Sequence, residues 1–149
     1  MMHTEEHIKI LLVEDDDGHA RLIERNLRKV GLINPIERVP DGQDAMDYLL
    51  NEGKFADSDQ FSRPQLILLD INLPRLDGIE VLERIKRDPD LCPLPVIMLT
   101  STDTQAEVDR CYRAGACGYV AKPVDISSLG EKLNRLGMFL EIVELPHVA

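Results

Sequence analysis

Four large apolar residues in succession, Leu66-Ile67-Leu68-Leu69, run straight into Asp70, and no other stretch constrains the fold as tightly. A strand with one wet face alternates apolar and polar residues. This one does not, so it reads as a strand buried on both faces, in the interior of a parallel sheet covered by helices. A carboxylate at the end of such a run is costly unless a cation, a polar partner or water receives it. Asp70 therefore belongs at the carboxyl edge of the sheet, where open α/β sheets gather ligands and chemistry.

The chain is 149 residues long, enough for one domain with a real core and little more. The expectation is a single domain over 1–149, with a core of about 8–136, an apolar C-terminal tail 137–149 and no output domain. A formal net charge of −10 opposes binding to nucleic-acid phosphates by bulk electrostatics. Glu5, Glu6 and Lys9 interrupt the N-terminal stretch, which matches neither a signal peptide nor a membrane span. A soluble, cytoplasmic protein is expected. Cys92, Cys111 and Cys117 are odd in number and lack the Cys-x-x-Cys spacing of zinc or redox sites, so they read as reduced structural thiols.

Taken in order, the chain alternates strand and helix. Ile8 to Val13 is an apolar, β-branched run that stops in Glu14-Asp15-Asp16-Asp17. Ala20, Ile23, Leu27 and Val30 recur at helical spacing, with Asp16 or Asp17 able to cap the start and Gly31 the stop. Ile33 to Val39 is a second strand, edge-like because Pro35 cannot donate to a ladder. Pro40-Asp41-Gly42 is turn chemistry before a short amphipathic helix ending near Gly53, and Lys54 to Pro64 is a long polar loop anchored by Phe55 and Phe61. After Asp70 comes the loop Leu73 to Gly78, then a helix carrying Ile79, Leu82 and Ile85 that Asp88-Pro89 ends. Leu94 to Leu99 is another uninterrupted apolar strand, and it delivers Thr100 to its tip. Val108, Cys111 and Tyr112 mark a fourth helix closed by Gly115; Gly118 to Ala121 is a brief strand presenting Lys122-Pro123; Ile126, Leu129, Leu133 and Leu136 mark a fifth helix. Five βα repeats imply a parallel sheet with helices on both faces.

The strand ends carry complementary groups: Glu14 and Asp15 on the first, Asp70 on the third, Thr100 on the fourth and Lys122 on the fifth. Singly, each has a bland explanation as a solvated or capping surface group. On one shared edge they do not. Three clustered carboxylates repel and raise one another's pKa unless a hard cation neutralises them, and Mg²⁺ suits one or two carboxylates plus a phosphate oxygen. An aspartate beside it is a candidate nucleophile toward phosphorus. Lys122 and Thr100 then provide a mobile positive charge and a hydroxyl donor for the phosphoryl oxygens. A new dianion at Asp70 would draw the Thr100 hydroxyl toward it and open space into which Tyr119 can turn; the competing reading is that Tyr119 simply packs with its hydroxyl in solvent.

These motifs resemble a receiver domain, the response-regulator half of two-component signalling. Leu12-Val13-Glu14-Asp15, Leu69-Asp70-Ile71-Asn72-Leu73-Pro74 with Asp77-Gly78, Met98-Leu99-Thr100-Ser101 and Gly118-Tyr119-Val120-Ala121-Lys122-Pro123 carry the resemblance, in order and spacing, over roughly Ile8 to Leu136. It implies a flavodoxin-like (βα)5 fold with strand order 2-1-3-4-5 and Asp70 as phosphoacceptor. It further implies direct metal ligation by Asp15, Asp70 and the backbone carbonyl of Asn72, with Glu14 acting through water on the metal. Mg²⁺ is the implied cofactor, with Mn²⁺ or Ca²⁺ able to substitute. The loop Lys54 to Pro64, the segment Ile85 to Leu91 and the closing Phe139 to Pro146 resemble stand-alone regulators that accompany bacterial phytochrome histidine kinases. That resemblance implies a phytochrome-type kinase as partner.

Three other readings compete. A Mg²⁺-dependent phosphatase of the haloacid-dehalogenase kind expects Asp-x-Asp, and Asn72 stands at the second position. A flavodoxin-type redox protein expects a glycine- and hydroxyl-rich phosphate loop where this chain has acids. Receivers that have lost phosphorylation serve as docking modules, but every expected active-site residue type is present here. Leu136, Met138, Phe139, Leu140, Ile142, Val143 and Leu145 crowd the chain's end, and burying them favours a homodimer over an arm folded back on the domain.

Overall fold

The apolar run of the third strand is buried from end to end, as are the strands beside it. The computed structural model describes residues 9–29, 34–101 and 104–122. In chain order the elements are β1 (Ile10–Val13), α1 (Asp17–Lys29), β2 (Ile36–Val39), α2 (Gly42–Leu50), a 3₁₀ turn (Gly53–Phe55), β3 (Leu66–Asp70), α3 (Gly78–Arg87), β4 (Val96–Thr100), α4 (Gln105–Ala114) and β5 (Gly118–Ala121). All strand pairs are parallel, in the order β2-β1-β3-β4-β5. This is the expected flavodoxin-like arrangement. The expected fifth helix, the Lys122–Pro123 peptide bond and the apolar tail lie outside the described residues.

The two faces of the sheet explain the absence of polar alternation. Leu11, Val13, Ile67, Leu69 and Met98 pack with Ala45, Leu49, Ile79, Leu82, Ile85 and Cys111, so one face is covered by α2, α3 and α4. Ile10, Leu12, Leu66, Leu68, Ile97 and Leu99 meet Ala20, Ile23 and Leu27 of α1 on the other. β2 is only half-buried over most of its length, as an edge strand should be, and it begins directly after Pro35, whose carbonyl accepts from the Ile10 N–H at 2.9 Å.

Local chemistry sets the helix ends. Asp41, Asp77 and Thr104 accept backbone N–H groups at the starts of α2, α3 and α4, and Asp16 takes the His19 N–H at 2.9 Å ahead of α1. Gly115 closes α4 at φ 111°, as its position predicts. α2 differs. It ends at Leu50, three residues before Gly53, because Asn51 itself adopts the left-handed conformation at φ 52°. The Asn51 side chain then donates to the carbonyls of Phe55 and Phe61. The loop after it is consequently anchored: Tyr48, Phe55 and Phe61 stack with ring centroids 5.1–5.8 Å apart, and the Tyr48 hydroxyl donates to the Ser62 carbonyl at 3.0 Å.

Candidate functional site

Parallel register brings the acidic strand ends together. Val13 pairs with Leu69, so one residue further along each strand places Glu14 beside Asp70. Asp70 pairs with Leu99, and Thr100 with Ala121, which sets the β4 hydroxyl and Lys122 on the other flank. Carboxylate oxygens of Glu14, Asp15 and Asp70 lie within 4.8 Å of one another. Glu14 and Asp70 are buried, whereas Asp15 is exposed.

Lys122 binds this cluster from within. Its Nζ donates to Glu14 Oε1 and Oε2 at 3.1 and 3.3 Å and to Asp70 Oδ2 at 3.1 Å. The Lys122 backbone N–H also donates to the Thr100 carbonyl at 2.7 Å, fixing the root of the side chain to the β4 tip. The other Asp70 oxygen accepts the Asn72 N–H at 3.2 Å. Burial, then the neighbouring Glu14 charge, push the Asp70 carboxyl up to about 6, although Lys122 and the Asn72 N–H pull it down. Burial also opposes the Lys122 charge, but its hydrogen bonds to Glu14 and Asp70 outweigh this and raise its pKa above the ordinary lysine value.

One ammonium among three carboxyl groups leaves an excess of negative charge in a buried place. That donor set fits a hard divalent cation: all oxygen, from two adjacent strand tips, with one exposed member. Beside it opens a pocket of about 400 Å³ lined by Asp15, Ile71, Asn72, Leu73, Pro74 and Asp77. Asn72, implied as a backbone ligand, therefore shares the wall of this pocket with Asp15 of the acidic cluster.

Thr100 is buried at the tip of β4. Tyr119 stands away from the acidic cluster, half-buried on β5, with its ring edge-on to exposed Tyr112 at a centroid distance of 6.1 Å. The structure thus gathers Glu14, Asp15, Asp70 and Lys122, sets Asn72 and Thr100 at their border, and leaves Tyr119 back along β5, beside Met98 of β4.

Several neighbours of the site escape sequence reasoning. Asp16 donates its backbone N–H to Glu14 Oε2 at 3.2 Å, and His19 Nδ1 lies 3.7 Å from the same oxygen. Arg38 donates through Nε to the Glu14 carbonyl at 2.9 Å and pairs through Nη1 with Asp17 at 2.7 Å. A basic residue on an edge strand reads as solvated. The usable signal was its position, one residue from the end of a strand that neighbours the acidic tip.

The response regulator receiver domain family matches residues 10–134. A probable methanogenesis regulatory protein, FilR2 of Methanothrix harundinacea, is 38% identical over 137 residues, covering 91% of this chain and 85% of that protein. Response regulator Rcp1 of Synechocystis is 37% identical over 138 residues, 92% of each chain. Among solved structures, the bacteriophytochrome response regulator AtBRR superposes with a TM-score of 0.82 at 33% identity, covering 97% of this chain and 99% of that one. The Mn²⁺-bound form of Rcp1 gives a TM-score of 0.72 at 32% identity, over 95% and 99% of the two chains. With the sheet order and the strand-tip residues also in place, the chain belongs to the response regulator receiver domain family of two-component signalling, with bacteriophytochrome response regulators among its structural neighbours.

Proposed function

We propose that this protein is a phosphorelay response regulator that accepts a phosphoryl group from a phytochrome-type histidine kinase onto Asp70, in a Mg²⁺-dependent reaction in the cytoplasm. The observation that carries the reading is the setting of Asp70: a buried carboxylate at the central strand tip, between the Lys122 ammonium and the Asn72 N–H, in a cluster with more acid than base. Asp15, Asp70 and the Asn72 carbonyl would hold the cation, with Glu14 acting through water. When bound, it supplies charge neutralisation at the phosphoryl oxygens. One Asp70 oxygen attacks phosphorus; the O–P bond forms as the N–P bond of the kinase phosphohistidine breaks, and the electron pair returns to the imidazole nitrogen. Lys122 and Thr100 donate to the oxygens of the group once it has arrived. Incubating the protein with acetyl phosphate or a phosphorylated kinase, in Mg²⁺ and in EDTA, tests this directly. The reading requires an acyl phosphate that maps to Asp70 by peptide mass spectrometry and is absent in EDTA; labelling at another residue, or undiminished labelling in EDTA, sinks it. Phosphotransfer profiling against histidine kinases of the same genome identifies the input.

The reading assigns the output to a switch. Thr100 turns toward the phosphoryl group and Tyr119 follows into the space it leaves, which changes the surface formed by α4, β5 and the expected fifth helix. Crystals grown with and without beryllofluoride are expected to differ in the χ1 rotamers of both residues. Identical rotamers in the two forms count against coupling.

The apolar tail completes the reading as a symmetric homodimer, since several buried large side chains at roughly 1.5–3 kcal/mol each can offset an association cost. Sedimentation should show a dimer for the full chain and a monomer for a truncation ending at Leu136. A full-length monomer at tens of micromolar, phosphorylated or not, removes the dimer from the proposal.

A further inference from the structure

Outside the acidic cluster, the strongest feature is the way the β3–α3 loop is held. Residues 71–78 close on themselves through the Gly78 N–H, which donates to the Ile71 carbonyl at 2.9 Å. Nothing larger than hydrogen fits at that closure, because a Cβ on Gly78 would lie 2.1 Å from the Asp70 carbonyl oxygen. The tip of the loop turns at Arg75, where the Leu76 N–H reaches the Pro74 carbonyl at 2.7 Å. It presses on the start of α2, where a Cβ on Gly42 would lie 1.9 Å from the Leu76 carbonyl oxygen.

Arg75 adopts φ 66°, and among the described residues only Asn51 shares a positive φ without being glycine. Asparagine tolerates that region; arginine carries a steric cost there. The side chain shows what offsets it. Nε and Nη2 grip both oxygens of Asp41 at 3.0 and 2.9 Å, and Nη2 also reaches Asp44 Oδ1 at 3.2 Å. Asp44 is itself held on its other oxygen by Lys54 at 3.2 Å. As a half-exposed ion pair this contributes little to global stability. As a two-pronged fork it fixes geometry, and Lys would not reproduce it. Asn72 lies on the loop so fixed, three residues before Arg75.

We propose that Arg75 is a positioning residue for the divalent cation: by clamping the tip of the β3–α3 loop to Asp41 and Asp44, it holds the segment that carries Asn72 in the conformation the cation meets. The proposal rests on the reading of the Asp70 site as metal-dependent. Charge alone makes the opposite prediction, because removing a guanidinium near an acidic site should strengthen cation binding. Weaker binding is therefore the signature of positioning.

The test is Mn²⁺ titration of the full chain, read by loss of the free-ion EPR signal, for wild type, Arg75→Met, Arg75→Lys and Asp41→Ser, the last of which keeps a helix cap. Arg75→Met is expected to raise the Mn²⁺ Kd about tenfold, the low end of what residues that orient metal ligands contribute, with Arg75→Lys between it and wild type. Asp41→Ser should match Arg75→Met, and the double variant should be no worse than either alone. The phosphorylation rate at saturating Mn²⁺ should stay within about twofold of wild type, and amide exchange at Leu76 and Gly78 in the metal-free protein should quicken. An unchanged or lower Kd in Arg75→Met, with wild type binding saturably, overturns the clamp and leaves the site reading intact. Failure of wild type to bind Mn²⁺ overturns both.

Discussion

Asp70→Asn is expected to abolish phosphoryl incorporation and, in the same protein, to raise the unfolding free energy of the metal-free state by about 1–3 kcal/mol at pH 7.5. The loss follows because a neutral amide offers no carboxylate nucleophile. The gain follows from the environment: Asp70 is buried beside Glu14, and Lys122 cannot neutralise both. Its folded pKa of about 6 lies above the ordinary carboxylate value near 4. Through that window the folded state holds a proton the unfolded chain has released, so the metal-free protein loses stability as pH rises from about 4 to about 6. Above about 6 the penalty is complete. The Asn variant lacks this slope, and its urea-unfolding curves at pH 5 and pH 7.5 should lie closer together than those of wild type. A variant less stable than wild type at pH 7.5 would show that the Lys122 contact outweighs the repulsion.

Lys122→Met should act in the opposite direction, destabilising the metal-free protein by about 2–3 kcal/mol. The Lys122 side chain is 7% exposed and its partners Glu14 and Asp70 are 0% and 3% exposed, so the variant strands two buried carboxylates. Removing one partner of a buried pair costs roughly 3–5 kcal/mol. Asp70 can limit the damage by taking up a proton, which holds the expected loss at the low end of that range or below it. Two measurements separate this from a plain packing defect. Millimolar Mg²⁺ should restore much of the stability, because the cation replaces the missing positive charge. Adding Asp70→Asn to Lys122→Met should recover stability beyond additivity, since the second change removes one of the stranded charges. Additive effects without metal rescue would place Lys122 outside the electrostatics of the site.

The frame of this fold was legible because it rests on periodicity and strand ends. Apolar runs at Ile10 to Val13, Leu66 to Leu69 and Leu94 to Leu99, each short and alternating with helical patterns, read as interior parallel strands, and the residues that end them then share an edge. Glu14, Asp15, Asp70 and Lys122 therefore met as expected. What stayed hidden depends on distance in sequence and on backbone conformation. Asn51 rather than Gly53 closes α2, because asparagine also tolerates a left-handed backbone and its amide ties down the following loop. The Arg75 fork on Asp41 crosses 34 residues and leaves no periodic trace. Arg38, bonded to the Glu14 carbonyl, looks like any charged residue on an edge strand.

The bond from Lys122 to Glu14 spans 108 residues of chain. During synthesis Glu14 and Asp70 therefore leave the ribosome long before their cation does, and any fragment ending short of Lys122 must bury them without it or leave the sheet edge open. Contacts of such separation are non-local, and their loop-closure entropy is spent before they stabilise anything. Completion of the site thus waits on the fifth strand: a nascent or clipped chain that has formed only its first strands still lacks the ammonium that joins the two acidic strand tips.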